Sequence, residues 1–282
     1  MIGGIGALTR GVDLHVHTNV SDSSLTVEEV ILEAHENNVE ILSITDHNAV
    51  DAYKQLVFPS DVTIIPGIEL TAMYGKDTQI HILGYGIDVN NEFLNKKLQL
   101  VQYSYLRAVQ RMMLNINKEF DVDIQKELKK RSLKVKRRNI CAIMMELTSL
   151  KNKKDIYEKY LNYHNLNLKF TYLSVTDAIS VILEAGGIPV LAHPNRLRMP
   201  LDSIDNLLYD LKDMGLAGIE VYHPSQIGFE SEFCRLAQKH SLFISGGSDN
   251  HGSYTPELKI GYIGDKKLES NKLTLLERVF HK

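Results

Sequence analysis

The stretch V-D-L-H-V-H-T-N-V-S-D-S-S, residues 12–24, decides how the chain is read. Its first half alternates like a β-strand, so His15 and His17, at i and i+2, leave the same face. A core strand does not ordinarily set two imidazoles side by side. Asp22 follows in a polar cluster where the strand should end. Something must pair with these groups.

Outward from that stretch, further short apolar, β-branched runs recur. They are I-L-S-I-T-D-H (41–47), V-T-I-I-P-G-I-E (62–69), I-H-I-L-G-Y-G (80–86), I-P-V-L-A-H-P (188–194), G-I-E-V-Y-H-P (218–224) and L-F-I-S-G-G-S-D-N-H (242–251). Helical patterns separate several of them. Thr26-Val-Glu-Glu29 reads as a capping box, followed by Val27, Val30, Ile31 and Ala34 at helical spacing. Ser174-Val-Thr-Asp177 reads as a second helix start, and Gly186-Gly187 as its stop. Strands alternating with helices predict an α/β fold with a parallel sheet or barrel. No repeat of solenoid period is present.

Residues 91–170 break this rhythm. All seven prolines lie outside them, and helix formers dominate. Lys and Arg number 18 there against 8 Asp and Glu. The whole chain carries 32 against 35, so the remainder carries 14 against 27. A net charge of −3 therefore hides an acidic body and a basic helical segment. Such a segment is either a solvated helical face or a surface that meets a phosphate-bearing substrate.

Each strand run carries a residue able to bind a metal. The first supplies His15 and His17, with Asp22 in the loop beyond. The second ends in Asp46 and His47, the third in Glu69, and the fourth begins with His81. The later runs supply His193, and then Asp249 and His251. In a β/α barrel the C-terminal strand ends converge on one face. Any one of these histidines alone is more simply a hydrogen-bonded core or surface residue. Six histidines and three acids together are not, because buried carboxylates without partners are costly. Imidazoles and carboxylates suit Mn, Zn or Fe, and nine ligands are enough for two or three divalent ions. Asp46 reads as capping the turn or orienting a ligand. His223, in E-V-Y-H-P, is expected to line the site without binding metal. His35, His164, His240 and His281 read as solvated.

At 282 residues with 44% hydrophobic content, the chain has enough apolar sequence for a full core. Cys141 and Cys234 stand in no metal-ligand spacing and fit a reducing compartment. No basic region precedes an apolar run at the start, and no run of about 18 apolar residues occurs. A cytoplasmic protein with no membrane contact is the expectation.

D-L-H-V-H-T-N-V-S-D-S-S, I-T-D-H-N, P-G-I-E-L, I-H-I-L-G-Y, V-L-A-H-P and G-G-S-D-N-H-G follow one another in the order of the polymerase and histidinol phosphatase (PHP) superfamily. The resemblance spans about residues 11–270. V-K-R-R-N-I-C-A-I-M-M-E-L (135–147), I-Y-E-K-Y-L and A-G-G-I-P-V-L-A-H-P-N-R resemble its branch of nucleoside 3′,5′-bisphosphate phosphatases and 5′-to-3′ oligoribonucleases. That resemblance implies a distorted (β/α)7 barrel with a helical insertion domain. The barrel would comprise residues 11–95 and 171–282, and the insertion residues 96–170. It implies a trinuclear site, often of manganese. One ion would take His15, His17, Glu69 and Asp249. A second would share Glu69 and take His81 and His193. A third would take Asp22, His47 and His251. Two departures bear on substrate: Arg137-Arg138-Asn139 stands where the branch carries Arg-Pro-His, and Asn250 where an aromatic residue is common.

The expected chemistry is phosphomonoester hydrolysis by a metal-bridging hydroxide. Arg196, and Arg137 or Arg138, are candidates for phosphate contact, since a guanidinium fork matches phosphate. The leaving oxygen is expected to take its proton from a metal-bound water or His223. The expected partner is a phosphorylated small molecule or nucleotide. An exoribonuclease would use the basic segment as a channel for short single-stranded RNA, with stacking aromatics. Tyr103, Tyr105, Phe120, Tyr157, Tyr160, Tyr163 and Phe170 are available, although several fall at core spacing. A histidinol-phosphate-type phosphatase, a non-catalytic metal-binding module and an amidohydrolase-like C–N hydrolase are the other readings.

Overall fold

The structure is a computed structural model that describes residues 9–55, 61–76, 78–162, 166 and 172–281. It separates into two compact units. One is built from the chain up to Lys96 and from Leu173 onward, the other from Lys97–Tyr172.

The first unit is α/β. Its strands are β1 (Gly11–Val16), β2 (Val39–Ile44), β3 (Thr63–Ile64), β4 (Gly67–Tyr74), β5 (Thr78–Tyr85), β6 (Leu173–Ser174), β7 (Ile188–Leu191), β8 (Gly218–Tyr222) and β9 (Phe243–Gly246). They form a sheet ordered β1-β2-β3 and another ordered β6-β4-β5-β7-β8-β9, beside a small antiparallel ribbon at Tyr262–Ile263 and Lys266–Lys267. Helix α1 (Val27–Glu36) follows β1, and α2 (Ala52–Gln55) follows β2. Both sides of the α1 capping box are made, Thr26 accepting from Glu29 N and Glu29 accepting from Thr26 N.

Two departures from the strand reading matter for the site. First, V-T-I-I-P-G-I-E is not one strand. Pro66 separates β3 from β4, which belong to different sheets, because proline cannot donate to a ladder. Glu69 is therefore the third residue of an eight-residue strand rather than a strand end. Second, β5 runs antiparallel to both β4 and β7, in a sheet whose other pairs are parallel. Only residues 75–77 separate β4 from β5, and Gly75 takes φ +63°. A parallel return needs a crossover of a dozen or more residues, so this connection is a hairpin. His81 is consequently the fourth residue of β5, opposite Thr71.

The two sheets meet through isolated bridges, His47 to Glu69 and Val16 to Asn250, not through continuous ladders. Val12, Leu14, Leu83, Tyr85, Val190 and Ala192 lie in one buried cluster. Fully burying such a side chain stabilises by roughly 1.5–3 kcal/mol.

The second unit is helical. From Lys97 onward it contains most of α3 (Glu92–Phe120), then α4 (Ile124–Lys130), α5 (Arg137–Leu147) and α6 (Lys153–Tyr160). Val109, Met112 and Ile116 of α3 pack with Ile124, Leu128, Ile140, Ile143, Met144 and Ile156 in its core. Tyr160 joins that core, but Tyr103 does not: it is 62% exposed, with Arg107 over its ring. Tyr163, His164 and Phe170 lie outside the described residues.

The first unit continues with α7 (Val175–Glu184), α8 (Leu201–Asp213), α9 (Glu230–His240) and α10 (Leu275–Phe280). Ser174 caps α7 by accepting from Asp177 N, and Gly186 at φ +73° turns the chain out of it. His240 corrects the solvated reading. It is buried at the end of α9 and its Nε2 lies 2.6 Å from Asp205 of α8, because the apolar face of α9 carries its last turn inward. His35 is exposed beside Asp61, and His281 is exposed. No described helix is long and apolar enough to cross a membrane.

Candidate metal centre

β1 brings His15 to the site, and the chain just past its end brings His17, with ring centroids 5.2 Å apart. The next loop is tied to Asp46, as the capping reading expects. Thr18 donates to Asp46 through its backbone N (2.8 Å) and its hydroxyl (2.6 Å), and Ser21 does so through its N (3.3 Å) and its hydroxyl. This loop carries Asp22 to within 3.3 Å of His251 Nε2 and 3.9 Å of His47 Nε2.

Glu69 sits at the centre. Its Oε2 lies 3.3 Å from His15 Nε2, 3.3 Å from His17 Nε2 and 3.1 Å from His47 Nδ1. Its Oε1 lies 2.8 Å from His81 Nδ1 and 2.9 Å from His193 Nε2. The reversal of β5 makes this possible, since it sets His81 beside β4 instead of at a remote strand end. Asp249 Oδ1 approaches His17 Nε2 at 3.0 Å and His15 Nε2 at 3.4 Å. All nine residues expected as ligands thus come together from separate segments of the first unit.

The donor atoms fit a cation better than one another. Among the described residues, His15 Nε2, His17 Nδ1 and Nε2, His47 Nδ1, Glu69 Oε2 and His193 Nδ1 are buried without a hydrogen-bond partner. Buried polar atoms in native proteins are ordinarily satisfied. Four groups have ligand atoms within 4.8 Å of one another around this centre: His15, His17, Glu69 and Asp249; His17, Asp22, His47 and His251; His47, Glu69 and His81; and His15, Glu220 and His223. The donors are all imidazole or carboxylate, with no thiolate, as divalent Mn, Zn or Fe would accept.

Charge is finely divided here. Burial alone would raise the Glu69 carboxyl, but His47, His81 and His15 outweigh it and hold the group well below the usual range. Asp249 is likewise held down by His15 and His17 against burial. Burial opposes a charged His17, yet the Asp249 and Glu69 carboxylates raise it to about 10. Burial dominates at His47 and His193 and pushes both down to about 4.

The candidates for substrate contact divide between the units. Arg196 follows His193, and its Nη1 lies 2.7 Å from Asp249 Oδ2, with the side chain half-exposed. Arg137 belongs to the second unit, where its Nη1 donates to Leu161 O at 3.2 Å. His223 is buried against the centre, its Nε2 3.3 Å from Asp249 Oδ2. Its Nδ1 accepts from Ser225 N at 2.9 Å, so the neutral ring carries its proton on Nε2.

Two carboxylates escaped the sequence reading. Glu220 of β8 is fully buried, with Oε1 2.9 Å from His15 Nδ1. Asp13 of β1 is also fully buried, and accepts from the backbone N of His15 (3.1 Å), Ser248 (3.0 Å) and Gly261 (2.7 Å). Burial pushes Asp13 up to about 6 against those bonds. The signal was present in both cases: a lone acid inside an apolar strand run, V-D-L and I-E-V.

The family model described as PHP domain matches residues 13–174. Several curated relatives match nearly end to end. The phosphoribosyl 1,2-cyclic phosphate 1,2-diphosphodiesterase of Eggerthella lenta is 30% identical over 89% of this chain and 97% of its own. The 3′,5′-nucleoside bisphosphate phosphatase of Chromobacterium violaceum is 27% identical over 90% and 92%. The 5′-3′ exoribonuclease Rnm of Escherichia coli is 28% identical over 85% and 84%. A solved structure described as an amidohydrolase from Chromobacterium violaceum, with bound sulfate and no metal, shares the fold at a TM-score of 0.80 and 24% identity, covering 96% of each chain.

Proposed function

Because the chain belongs to the PHP domain family, we propose that it hydrolyses a phosphomonoester of a nucleotide, such as a nucleoside 3′,5′-bisphosphate, or of a small metabolite. The observation that carries this reading is Glu69, one buried carboxylate with five imidazole nitrogens within 3.3 Å. Stacking so many bases around one acid is costly unless cations occupy the space between them.

In this reading His15, His17, Glu69 and Asp249 hold one ion. Glu69 with His81 and His193 holds a second, and Asp22, His47 and His251 hold a third. Manganese, zinc or iron is accepted by this donor set. When bound, such ions polarise the phosphoryl oxygens and lower the pKa of water toward neutrality. The chain's own residues do the rest. Arg196 is exposed enough to leave Asp249 for an incoming phosphate, where its fork adds charge to the non-attacked oxygens. His223 holds a proton on Nε2 at the edge of the centre and can donate a hydrogen bond through it to the leaving oxygen, the proton itself coming from water. In this reading the distorted seven-stranded barrel is drawn from the nine strands of the two sheets, which the His47–Glu69 and Val16–Asn250 bridges link, with residues 96–170 as a helical insertion. The free cysteines suit a cytoplasmic setting.

The charge of residues 91–170, 18 basic against 8 acidic side chains, favours a second reading as a 5′-3′ exoribonuclease on short RNA. One experiment separates the two. The manganese-loaded protein is assayed for phosphate release from adenosine 3′,5′-bisphosphate and from histidinol phosphate, and for release of nucleoside monophosphates from a 5′-phosphorylated RNA oligomer, beside a chelated control. Manganese-dependent release fastest from the bisphosphate supports the first reading. Faster, strongly salt-dependent processing of the oligomer supports the second. Turnover of none of the three by metal-loaded protein discards both substrate readings.

A further inference from the structure

Glu220 is a glutamate in the middle of an apolar strand, flanked by fully buried Ile219 and Val221, and is itself fully buried. A carboxylate so placed needs strong partners, and it has two. Oε1 lies 2.9 Å from His15 Nδ1, and Oε2 accepts from the backbone N of His193 at 2.7 Å. These partners stand 178 residues apart in sequence, and each belongs to a different proposed ion's ligand set.

Each contact performs a distinct task. At His15, an acceptor on Nδ1 keeps a proton there, so that an ion binding between Glu69 and Asp249 would displace the proton of Nε2 and meet its lone pair. At His193, the backbone sits at φ 27° and ψ 58°, a left-handed conformation that a residue with a Cβ rarely adopts and that costs on the order of 1–3 kcal/mol. The Glu220 carboxylate grips the N–H of that residue, and the ring emerges with Nε2 2.9 Å from Glu69 Oε1.

We infer that Glu220 is a positioning residue that sets the His15 tautomer and the His193 backbone together, so that the ligands of two ions are aligned by one carboxylate. The inference rests on the metal-centre reading above. It concerns a group that touches neither substrate nor, in that reading, any ion.

Glu220→Gln discriminates this role from simple packing. Glutamine is nearly isosteric but carries one acceptor and one donor where two donors face it. Either His193 N–H meets an amide N–H, or the amide donates to His15 Nδ1 and moves the imidazole proton to Nε2, the atom needed for metal. Zinc, which is diamagnetic, is titrated into metal-free wild type and E220Q, with bound zinc counted by elemental analysis and metal-free thermal stability measured alongside. The expected result is zinc affinity weakened about 10- to 100-fold in E220Q, with the metal-free protein still cooperatively folded. Wild-type affinity and stoichiometry in E220Q overturn the inference, whatever its melting temperature. A wild type that binds no zinc overturns the metal-centre reading instead. The nitrogen shifts of His15 in zinc-loaded wild type give a check that needs no variant. A protonated Nδ1 with zinc on Nε2 is expected, and the opposite arrangement refutes the inference.

Discussion

Replacing Glu69 by glutamine tests the centre at its most connected point. The change keeps the side chain's shape, so no cavity forms, but removes the charge that five imidazoles face. In the metal-free protein His15 and His17 are both held protonated at neutral pH, and both are fully buried. Removing both partners of a buried ion pair can be neutral. Removing one leaves charge stranded and costs roughly 3–5 kcal/mol. For a chain of this size that corresponds to a fall of roughly 10 °C in melting temperature. Scanning calorimetry in chelator measures it. Manganese supplies the second arm: at about 100 times its dissociation constant it raises wild-type stability by about 2.7 kcal/mol per site. E69Q should lose most of that gain, because Glu69 belongs to two of the three proposed ligand sets. A variant that melts with wild type in chelator, and rises by the wild-type amount with manganese, would refute the reasoning.

Acid should weaken the metal-free fold in a defined window. His193 is held neutral to about 4 in the folded protein while the unfolded chain takes up its proton near 6.5, so stability falls as pH drops from 6.5 toward 4, by about 3 kcal/mol from this group. His17 acts in the opposite sense, its contribution being whole below 6.5 and lost as pH rises through about 10. Urea titrations of metal-free protein across pH 4–10 should show both limbs, and a flat profile would contradict both assignments. Arg196→Ala should keep the wild-type metal content and lose about 10- to 100-fold in kcat/KM on a phosphate ester, the worth of one charge-assisted contact. Equal loss of bound metal would show that Arg196 serves Asp249 instead. Gly247→Ala would place a Cβ 2.3 Å from His15 N and 2.7 Å from Asp13 Oδ1, both buried. It should destabilise by about 1–3 kcal/mol or more and lower metal content, as calorimetry and elemental analysis would report.

Much of the local structure was legible in the chain because local structure depends on near neighbours. The Thr26 capping box, the Ser174 cap and the glycine exit from α7 each rest on residues within one helical turn. The donor set was equally legible, since His15 and His17 on one strand, His193 in V-L-A-H-P and Asp249 and His251 in S-D-N-H together stood out as candidate metal ligands. The direction of β5 was not plain. Its run alternates in either direction, and only the short link after Tyr74 reverses it and brings His81 beside Glu69.

What the sequence by itself determined is therefore the inventory of candidate ligands, most of the strand and helix segments that bear them, and the family motifs in order. Tertiary structure alone decided which groups share a partner. Glu220 meets His15 across 205 residues, Asp13 meets Gly261 across 248, and His240 finds Asp205 across two packed helices. The physical reason is that a buried polar group must be satisfied wherever the folded backbone places it, and periodicity along a strand specifies only which face it leaves, not what waits there.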